Sequence, residues 1–180
     1  MGHEAAGRLL PPRFYDRDTV AVATDLLGKV VRVQARGVWK SGVIVEDEAY
    51  LRDDPASHAY LGPNRRNQSM FKRPGTLYVY SIHSVYCMNL VTQRGEAVLI
   101  RALEPLENIS LPTNGPGKVC RALGITRDVH DGLTVEGPAV QIVDSGRRTF
   151  EVGTSSRIGV TKAKGLTLRF FITGNPFVSR

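Results

Sequence analysis

Cysteine is scarce in this sequence, which has only Cys87 and Cys120 among its 180 residues. The two do not form a CxxC pair, so we expect buried thiols in a reducing compartment and no metal site. Apolar runs that approach the roughly 20 residues of a membrane-spanning helix are also missing. The N-terminus lacks the basic and apolar regions of a signal peptide, so we expect a cytoplasmic protein without a membrane partner.

Acidic residues are scarce near the C-terminus. Residues 147–180 contain seven Lys or Arg but only Glu151, so most of the net charge of +7 lies in this segment. A second run without an acid contains Arg65, Arg66, Lys72 and Arg73. Basic patches of this kind attract polyanions, and nucleic acid is the leading candidate. A surface that only keeps the protein soluble would carry the same charge, so composition leaves both readings open.

The length and the 42% hydrophobic content fit one domain over residues 1–180, with a loose lead-in over 1–15. Asp18 is expected to cap a helix over 19–27, which Gly28 ends. Four later stretches alternate or are rich in β-branched and aromatic residues, and short turns join them, so we expect one antiparallel sheet. These stretches are 43–50, 76–82, 85–92 and 97–103. A strand over 30–34 is expected before them, and a turn over 37–42 would connect it to the first of the four.

The stretch 43–51, VIVEDEAYL, begins as an apolar strand and then places three acids in a row. Side chains alternate between the two faces of a strand, so Glu46, Glu48 and Tyr50 share one face and Asp47 points to the other. An acid that is partly removed from water beside an aromatic ring becomes more basic, as a general base near neutral pH requires. The alternative is a strand that runs out into solvent with its charges hydrated.

Two polar residues interrupt apolar strands. Arg101 stands alone in AVLIRAL, and a buried guanidinium must be paired or face a cavity, so a carboxylate such as Glu48 or Glu46 is the expected partner. Asn89 lies in the middle of VYCMNLVT, and a buried amide left unpaired costs about 1–3 kcal/mol. Both residues therefore need a polar partner.

Aromatic residues and a histidine lie close to these strands. Tyr78 and Tyr80 share one face of TLYVYSI, either as a cross-strand aromatic pair or as a platform on which a nucleic-acid base stacks. Asp54 followed by Pro55 is typical of an N-cap and first helical position, so we expect His58 on a short helix.

Several stretches together resemble the alkyladenine (3-methyladenine) DNA glycosylase family, from about the first helix to the C-terminus. The motifs EAYL, PGTLYVY and RALEP, in this order and spacing, are specific to this family. The matching stretches are VIVEDEAYL (43–51), DPASHAY (54–60), RNQSMFKRPGTLYVY (66–80), CMNLVT (87–92), AVLIRALEP (97–105), GPGKVCRALGI (115–125), RIGV (157–160) and LRFFITGNPFVS (168–179).

The resemblance implies a single α+β domain with a curved antiparallel β-sheet flanked by helices. It also implies a monofunctional enzyme that flips an alkylated or deaminated purine out of double-stranded DNA and hydrolyses the bond between base and deoxyribose. No cofactor and no metal are implied, and nothing in the sequence requires a dimer, so we expect a monomer, associated with the nucleoid if the source is bacterial.

The resemblance assigns catalytic roles to three residues. Glu48 would be the general base that activates water, Arg101 would hold that water or Glu48 itself, and the backbone carbonyl of Ile158 would contact the water. The absence of Lys from the core strands argues against a Schiff-base lyase step.

The remaining roles concern the base and the DNA strand. Tyr50 and Tyr80 would sandwich the flipped base, His58 would close the pocket, and Asn89 would exclude the amino group of guanine. Residues expected to touch DNA are Arg65, Arg66, Met70, His83, Lys118, Arg157 and Lys162.

One departure from the family concerns the residue that fills the space left by the flipped base. The family usually has Tyr-Gly after this strand, whereas this sequence has His83-Ser84. A His ring is planar and can still fill the gap, but its smaller area should hold the flipped state less well, and its charge could make flipping depend on pH.

Two other functions compete with a glycosylase. A metal nuclease could use Glu46, Asp47 and Glu48, but neighbouring acids on a strand face opposite ways and a third converging ligand is missing. A non-catalytic nucleic-acid-binding domain would explain the charge and the tyrosines. It would not explain why Arg101 faces acidic residues.

Overall fold

A computed structural model describes residues 7–180, which fold as one α+β domain around a nine-stranded antiparallel sheet. The strands are β1 (Arg8–Leu9), β2 (Val30–Ala35), β3 (Val38–Tyr50), β4 (Leu77–Ile82), β5 (Val85–Val91), β6 (Ala97–Glu107), β7 (Val140–Asp144), β8 (Val152–Ser155) and β9 (Arg169–Ile172). The helices are α1 (Thr19–Leu26), α2 (Pro116–Leu123) and α3 (Arg127–His130), with 3₁₀ turns at Pro12–Phe14 and Gln68–Phe71. The predicted fold class is confirmed.

The long strand β3 is the centre of the sheet. The order is β1-β7-β2-β3-β6-β5-β4, and β9 pairs with the second half of β3 and with β8. The first half of β3 is therefore flanked by β2 and β6, whereas Glu46 to Glu48 are flanked by β6 and β9. Register shifts around Glu46 mark a β-bulge, which bends a strand locally. The three acids thus lie in the interior of the sheet, and all three are fully buried.

Helix α1 matches its prediction within one residue. The side chain of Asp18 accepts a hydrogen bond from the amide of Ala21 at 3.0 Å, which is the expected N-cap. Gly28 follows the helix with φ of +84°, a conformation that costs glycine little. Val22 and Leu26 of this helix are fully buried against the sheet, so α1 closes one side of the core.

Several sequence boundaries need correction. The turn expected over 37–42 is only Arg36-Gly37, both with positive φ, so β2 and β3 form a tight hairpin and β3 is much longer than a strand starting at Val43. The lead-in is structured from Arg8 onward, and Tyr15 is fully buried in the core; residues 1–6 lie outside the described part. Strands β1 and β8 were missed, because two to four residues carry little periodic signal.

The expected short helix at Asp54 is also wrong. Residues 52–61 form successive turns, and Oδ1 of Asp54 accepts a hydrogen bond from the amide of Ala56 at 2.9 Å. Asx turns of this kind use the same Asp-Pro signal as a helix start, so sequence alone does not distinguish them.

The β4–β5 hairpin ends in a two-residue turn at His83-Ser84. Both residues have positive φ, +48° and +64°, and Ile82 pairs directly with Val85. Two positive φ values fit the I′ turn of two-residue hairpins, which normally uses Asn or Gly because other residues are strained there. Ile82 and Val85 are 50% and 41% exposed, so the tip presents apolar side chains on both sides of His83.

Two simpler expectations concern cysteine and the membrane. Cys87 and Cys120 are both free and buried, as predicted. Within residues 7–180, every helix is too short or too polar to cross a membrane.

Candidate active site

A cavity of about 580 Å³ opens beside β3, β4 and β6, within the usual size range of ligand sites. It brings together all seven residues that the sequence nominated for catalysis and base binding, although they come from distant parts of the chain. Its lining includes Glu48, Tyr50, His58, Met70, Tyr78, Tyr80, Cys87, Asn89, Arg101, Ile158 and Lys162.

Glu48 lies at this cavity with its carboxylate held by three donors. Oε1 accepts hydrogen bonds from the Tyr50 hydroxyl at 3.0 Å and from Nη1 of Arg101 at 3.4 Å. Oε2 accepts one from the backbone amide of Ile158 at 2.7 Å. The residue is fully buried, and these donors fill three of the roughly four acceptor positions of its two carboxylate oxygens.

Glu46 fixes the arginine that reaches Glu48. Its Oε1 accepts from Nε of Arg101 at 2.9 Å, from Nε of Arg169 at 2.8 Å and from the Ser179 hydroxyl at 2.7 Å, and its Oε2 accepts from the Ser179 amide at 2.6 Å. Burial by itself would raise the pKa of Glu46, but the hydrogen bonds from Ser179, Arg169 and Arg101 outweigh it and lower the pKa. Glu46 is therefore an anion that anchors Arg101, and both acids pair with this arginine as the sequence suggested.

Asp47 faces the opposite side of the strand, as the alternation predicts. It is fully buried, and among residues 7–180 neither of its carboxyl oxygens has a hydrogen-bond partner. Burial, followed by the charges of Glu46 and Glu48, raises its pKa well above the ordinary value. All three acids are thus buried, and the alternative of a strand with hydrated charges is wrong.

Replacing Asp47 by Asn is expected to stabilise the protein increasingly as pH rises. A raised pKa in the folded state means that wild-type stability falls with pH above the unfolded value of about 4, with a slope of up to about 1.4 kcal/mol per pH unit. Asn does not titrate, so the difference in unfolding free energy should widen between pH 5 and pH 8. Urea denaturation at both values measures it, with the exposed Asp53→Asn as control. A difference that does not change with pH would contradict an ionisable, unpaired Asp47.

One side of the cavity is aromatic. Nδ1 of His58 lies 2.9 Å from the Tyr78 hydroxyl, and the His58 ring meets the Tyr80 ring edge-on at a centroid distance of 4.5 Å. Partial removal of the ring from water lowers the pKa of His58, which favours the neutral imidazole. Burial, and then the charge of Asp131, raises the pKa of Tyr78 to about 12, so its hydroxyl keeps its proton.

Asn89 is fixed in one orientation at the cavity. It is 4% exposed, and its Nδ2 donates to the backbone carbonyl of Tyr78 at 3.1 Å. This contact is the partner that a buried amide in an apolar strand requires. A small polar group with a fixed direction can exclude ligands that carry a substituent at the wrong place.

Of the seven residues expected to contact DNA, five are exposed and two are buried. Arg65, Arg66, His83, Lys118 and Lys162 are exposed. In contrast, two others are buried. Met70 is 2% exposed and packs in a small apolar cluster beside the cavity, and Arg157 is 5% exposed and forms an ion pair with Asp54. Neither side chain lies on the outer surface, but Met70 lines the cavity, whereas Arg157 does not.

Some residues of the site were missed by sequence reasoning. Arg169 stands alone in the strand LTLRFFI, the same signal that identified Arg101, so it could have been found. Asp54 gives only the signal of a helix cap and Ser179 gives none, because their partners lie far away in sequence. Among residues 7–180 there is no group of three or more His, Cys, Asp or Glu side chains that could hold a metal ion.

Comparison with known proteins identifies the family. The family model of methylpurine-DNA glycosylase (MPG) matches residues 13–176. A protein of Methanoculleus marisnigri is 42% identical over 95% of this chain and 98% of its own length, and one of Rhizobium etli is 40% identical over 93% and 87%. One of Carboxydothermus hydrogenoformans is 38% identical over 96% and 99%, and all three carry the provisional name 3-methyladenine DNA glycosylase. The chain therefore belongs to the methylpurine-DNA glycosylase family, and it is a hydrolase of N-glycosyl bonds in DNA repair.

Proposed function

We propose that this protein is a monofunctional glycosylase that acts as a monomer, needs no cofactor, and removes alkylated or deaminated purines from duplex DNA. The observation that carries the proposal is the placement of Glu48. Its carboxylate is fully buried at the wall of a base-sized cavity and is oriented by Tyr50, Arg101 and Ile158. We place the protein in the cytoplasm, at the nucleoid if the source is bacterial.

In the proposed reaction, a water molecule bound to Glu48 attacks C1′ of the flipped nucleotide. The new C1′–O bond forms as the C1′–N bond breaks, the electron pair leaves with the purine, and the water proton passes to Glu48. The carboxylate also stabilises the oxocarbenium-like charge that develops on the sugar. An alkylated purine is electron-deficient and already a fair leaving group, so one carboxylate suffices. The predicted contact of the Ile158 carbonyl with this water belongs to the same proposal.

The aromatic residues would bind the flipped base. Tyr50 and Tyr80 stack on it, neutral His58 offers a hydrogen bond, and Asn89 rejects the amino group of guanine. Taking a base out of the stack costs a few kcal/mol, and less for a damaged base that stacks or pairs poorly. Selectivity would therefore come partly from the lesion itself and partly from the cavity.

The exposed basic residues Arg65, Arg66, Lys118 and Lys162 would contact phosphates, and each contact contributes about 0.9 to the slope of log affinity against log salt. His83 at the hairpin tip would fill the gap in the stack, between the exposed Ile82 and Val85. Replacing His83 by Ala tests this role. The rate of base release falls if the ring holds the flipped state, and it stays unchanged if the ring does not.

The decisive experiment measures free base released from duplex DNA under single-turnover conditions. The DNA contains hypoxanthine, 3-methyladenine, 7-methylguanine or ethenoadenine at one position, and EDTA is present. We expect release of at least one base, an abasic site that alkali cleaves, and an intact strand without alkali. Binding of lesion DNA without release of any base would favour a non-catalytic binding domain. Activity that EDTA abolishes would favour a metal-dependent enzyme.

A further inference from the structure

We infer that Arg157 is a positioning residue that ties together three walls of the base pocket and thereby orients Glu48 and Tyr50. The inference rests on the proposed glycosylase function and adds a role to a residue that touches neither base nor phosphate. It follows from the bonds that Arg157 makes with the turn that carries His58, with strand β3 and, through the chain, with Ile158.

The first attachment is a two-pronged ion pair with Asp54. Nη1 and Nη2 of Arg157 bind the two carboxylate oxygens of Asp54, the second at 3.0 Å, and the side chains are 0% and 1% exposed. Asp54 also accepts a hydrogen bond from the amide of Ala56. This bond starts the turn that places His58 at the cavity. Arg157 therefore holds this turn from a segment 103 residues away.

The second attachment is to strand β3 between its two functional side chains. Nη1 of Arg157 also donates to the carbonyl of Ala49 at 3.1 Å, and Ala49 lies between Glu48 and Tyr50. The guanidinium carbon of Arg157 lies 4.6 Å from the centre of the Tyr50 ring. Tyr50 lines the cavity and Arg157 does not, so the guanidinium supports the ring from behind.

The third attachment runs through the backbone. Ile158 is the next residue, and its amide donates the 2.7 Å hydrogen bond to Oε2 of Glu48. A shift of Arg157 therefore moves the amide that orients the general base. A displacement of about 1 Å at a reacting group can lower a rate by roughly 100-fold, so small movements matter here.

Phosphate binding does not fit this arrangement. Nη1 donates to Asp54 and Ala49, and Nη2 donates to Asp54. The whole side chain is 0% exposed, and its Nε is buried without a hydrogen-bond partner in the described part of the chain, so no donor is presented to a phosphate at the surface. Lysine cannot replace this geometry, because one ammonium group lacks the planar fork that matches a carboxylate. Arg157→Lys thus keeps the charge and removes the attachment.

The experiment compares wild type, Arg157→Lys and Asp54→Asn in single-turnover base release at saturating lesion DNA, together with the affinity for that DNA at several salt concentrations. We expect both variants to lose roughly 10- to 100-fold in rate. Affinity should stay within about twofold and the salt slope should not change, because no phosphate contact is lost. Arg66→Gln is the matched control, in which binding weakens and the slope falls by about 0.9.

DNA binding also reports that each variant is folded, and the double variant adds a second check. If the two residues act as one unit, Arg157→Lys combined with Asp54→Asn is no slower than the worse single variant. A rate within about twofold of wild type in both single variants overturns the positioning role and leaves the glycosylase intact. Weaker binding with a flatter salt slope in Arg157→Lys makes Arg157 a phosphate contact instead. If wild type releases no base, the proposed function fails, and the positioning role fails with it.

Discussion

Glu48→Gln is expected to lower the single-turnover rate of base release by about 10²- to 10⁴-fold, the usual contribution of a general base. The amide has nearly the shape of the carboxylate, but it cannot accept the proton of the attacking water. Gln has one acceptor oxygen where Glu48 uses two. Its NH₂ group, which is a donor, must therefore face either the Ile158 amide or the Tyr50 and Arg101 donors. Lesion DNA should still bind, because Glu48 touches no phosphate in the proposed complex.

The control for this variant is Glu104→Gln. Glu104 also accepts hydrogen bonds from an arginine and an amide, Arg147 at 2.9 Å and Asn175 at 2.8 Å, but it does not line the cavity. Its replacement should leave the rate of base release unchanged. A Glu48→Gln protein that released the base at the wild-type rate would show that another group activates the water. Asp47 could not be that group, since it lies on the other face of β3 without contact to the cavity.

Glu46→Ala is expected to be the most destabilising single substitution near the site, by about 3–5 kcal/mol. Removing Glu46 leaves Arg169 buried without its carboxylate partner and leaves Arg101 with only the longer contact to Glu48, and it deprives Ser179 of both of its hydrogen bonds to the carboxylate. For a domain of this size, such a loss lowers the melting temperature by roughly 6–20 °C. Calorimetry measures the shift, and a melting temperature within about 2 °C of wild type would contradict the anchoring role.

The stability that Glu46 contributes should depend on pH in a defined direction. Its pKa is lower in the folded protein than in the unfolded chain, so its contribution is complete above the unfolded value of about 4.3 and is lost as pH falls through the folded value. The difference in unfolding free energy between wild type and Glu46→Ala should therefore shrink below about pH 4. Glu104→Ala serves as the comparison, because its partner Arg147 is 37% exposed and surface pairs contribute about 0–1 kcal/mol.

The structural features that the sequence predicts correctly are those set by neighbouring residues. The period of two along a strand placed Glu46 and Glu48 on one face and Asp47 on the other, as the structure has them. The N-cap signal of Asp18 and the glycine after the helix located α1 within one residue. An isolated arginine in an apolar strand predicted the ion pairs of Arg101, because a buried charge requires a partner.

Local sequence patterns do not indicate features that depend on chain segments far apart. Basic composition near the C-terminus favoured Arg157 as a phosphate contact, but its partner Asp54 lies 103 residues earlier and was read as a helix cap. The length of β3 was underestimated, because the polar residues in its first part and the acids in its second do not form one periodic pattern. Met70 lies in a loop of polar and basic residues, but its side chain packs into an apolar cluster, which the composition of the loop does not indicate.

The sequence by itself determined the family, the class of reaction and the local geometry of the acidic strand, since motifs and alternation depend on neighbouring residues. Only the tertiary structure decided that these acids are buried. Strand β9 pairs with β3 at Glu46 to Glu48 and brings Arg169 to Glu46, and the segment around Arg157 brings the Ile158 amide to Glu48. The physical reason is that burial and ion pairing are set by which distant strands and loops meet, and no local pattern specifies that.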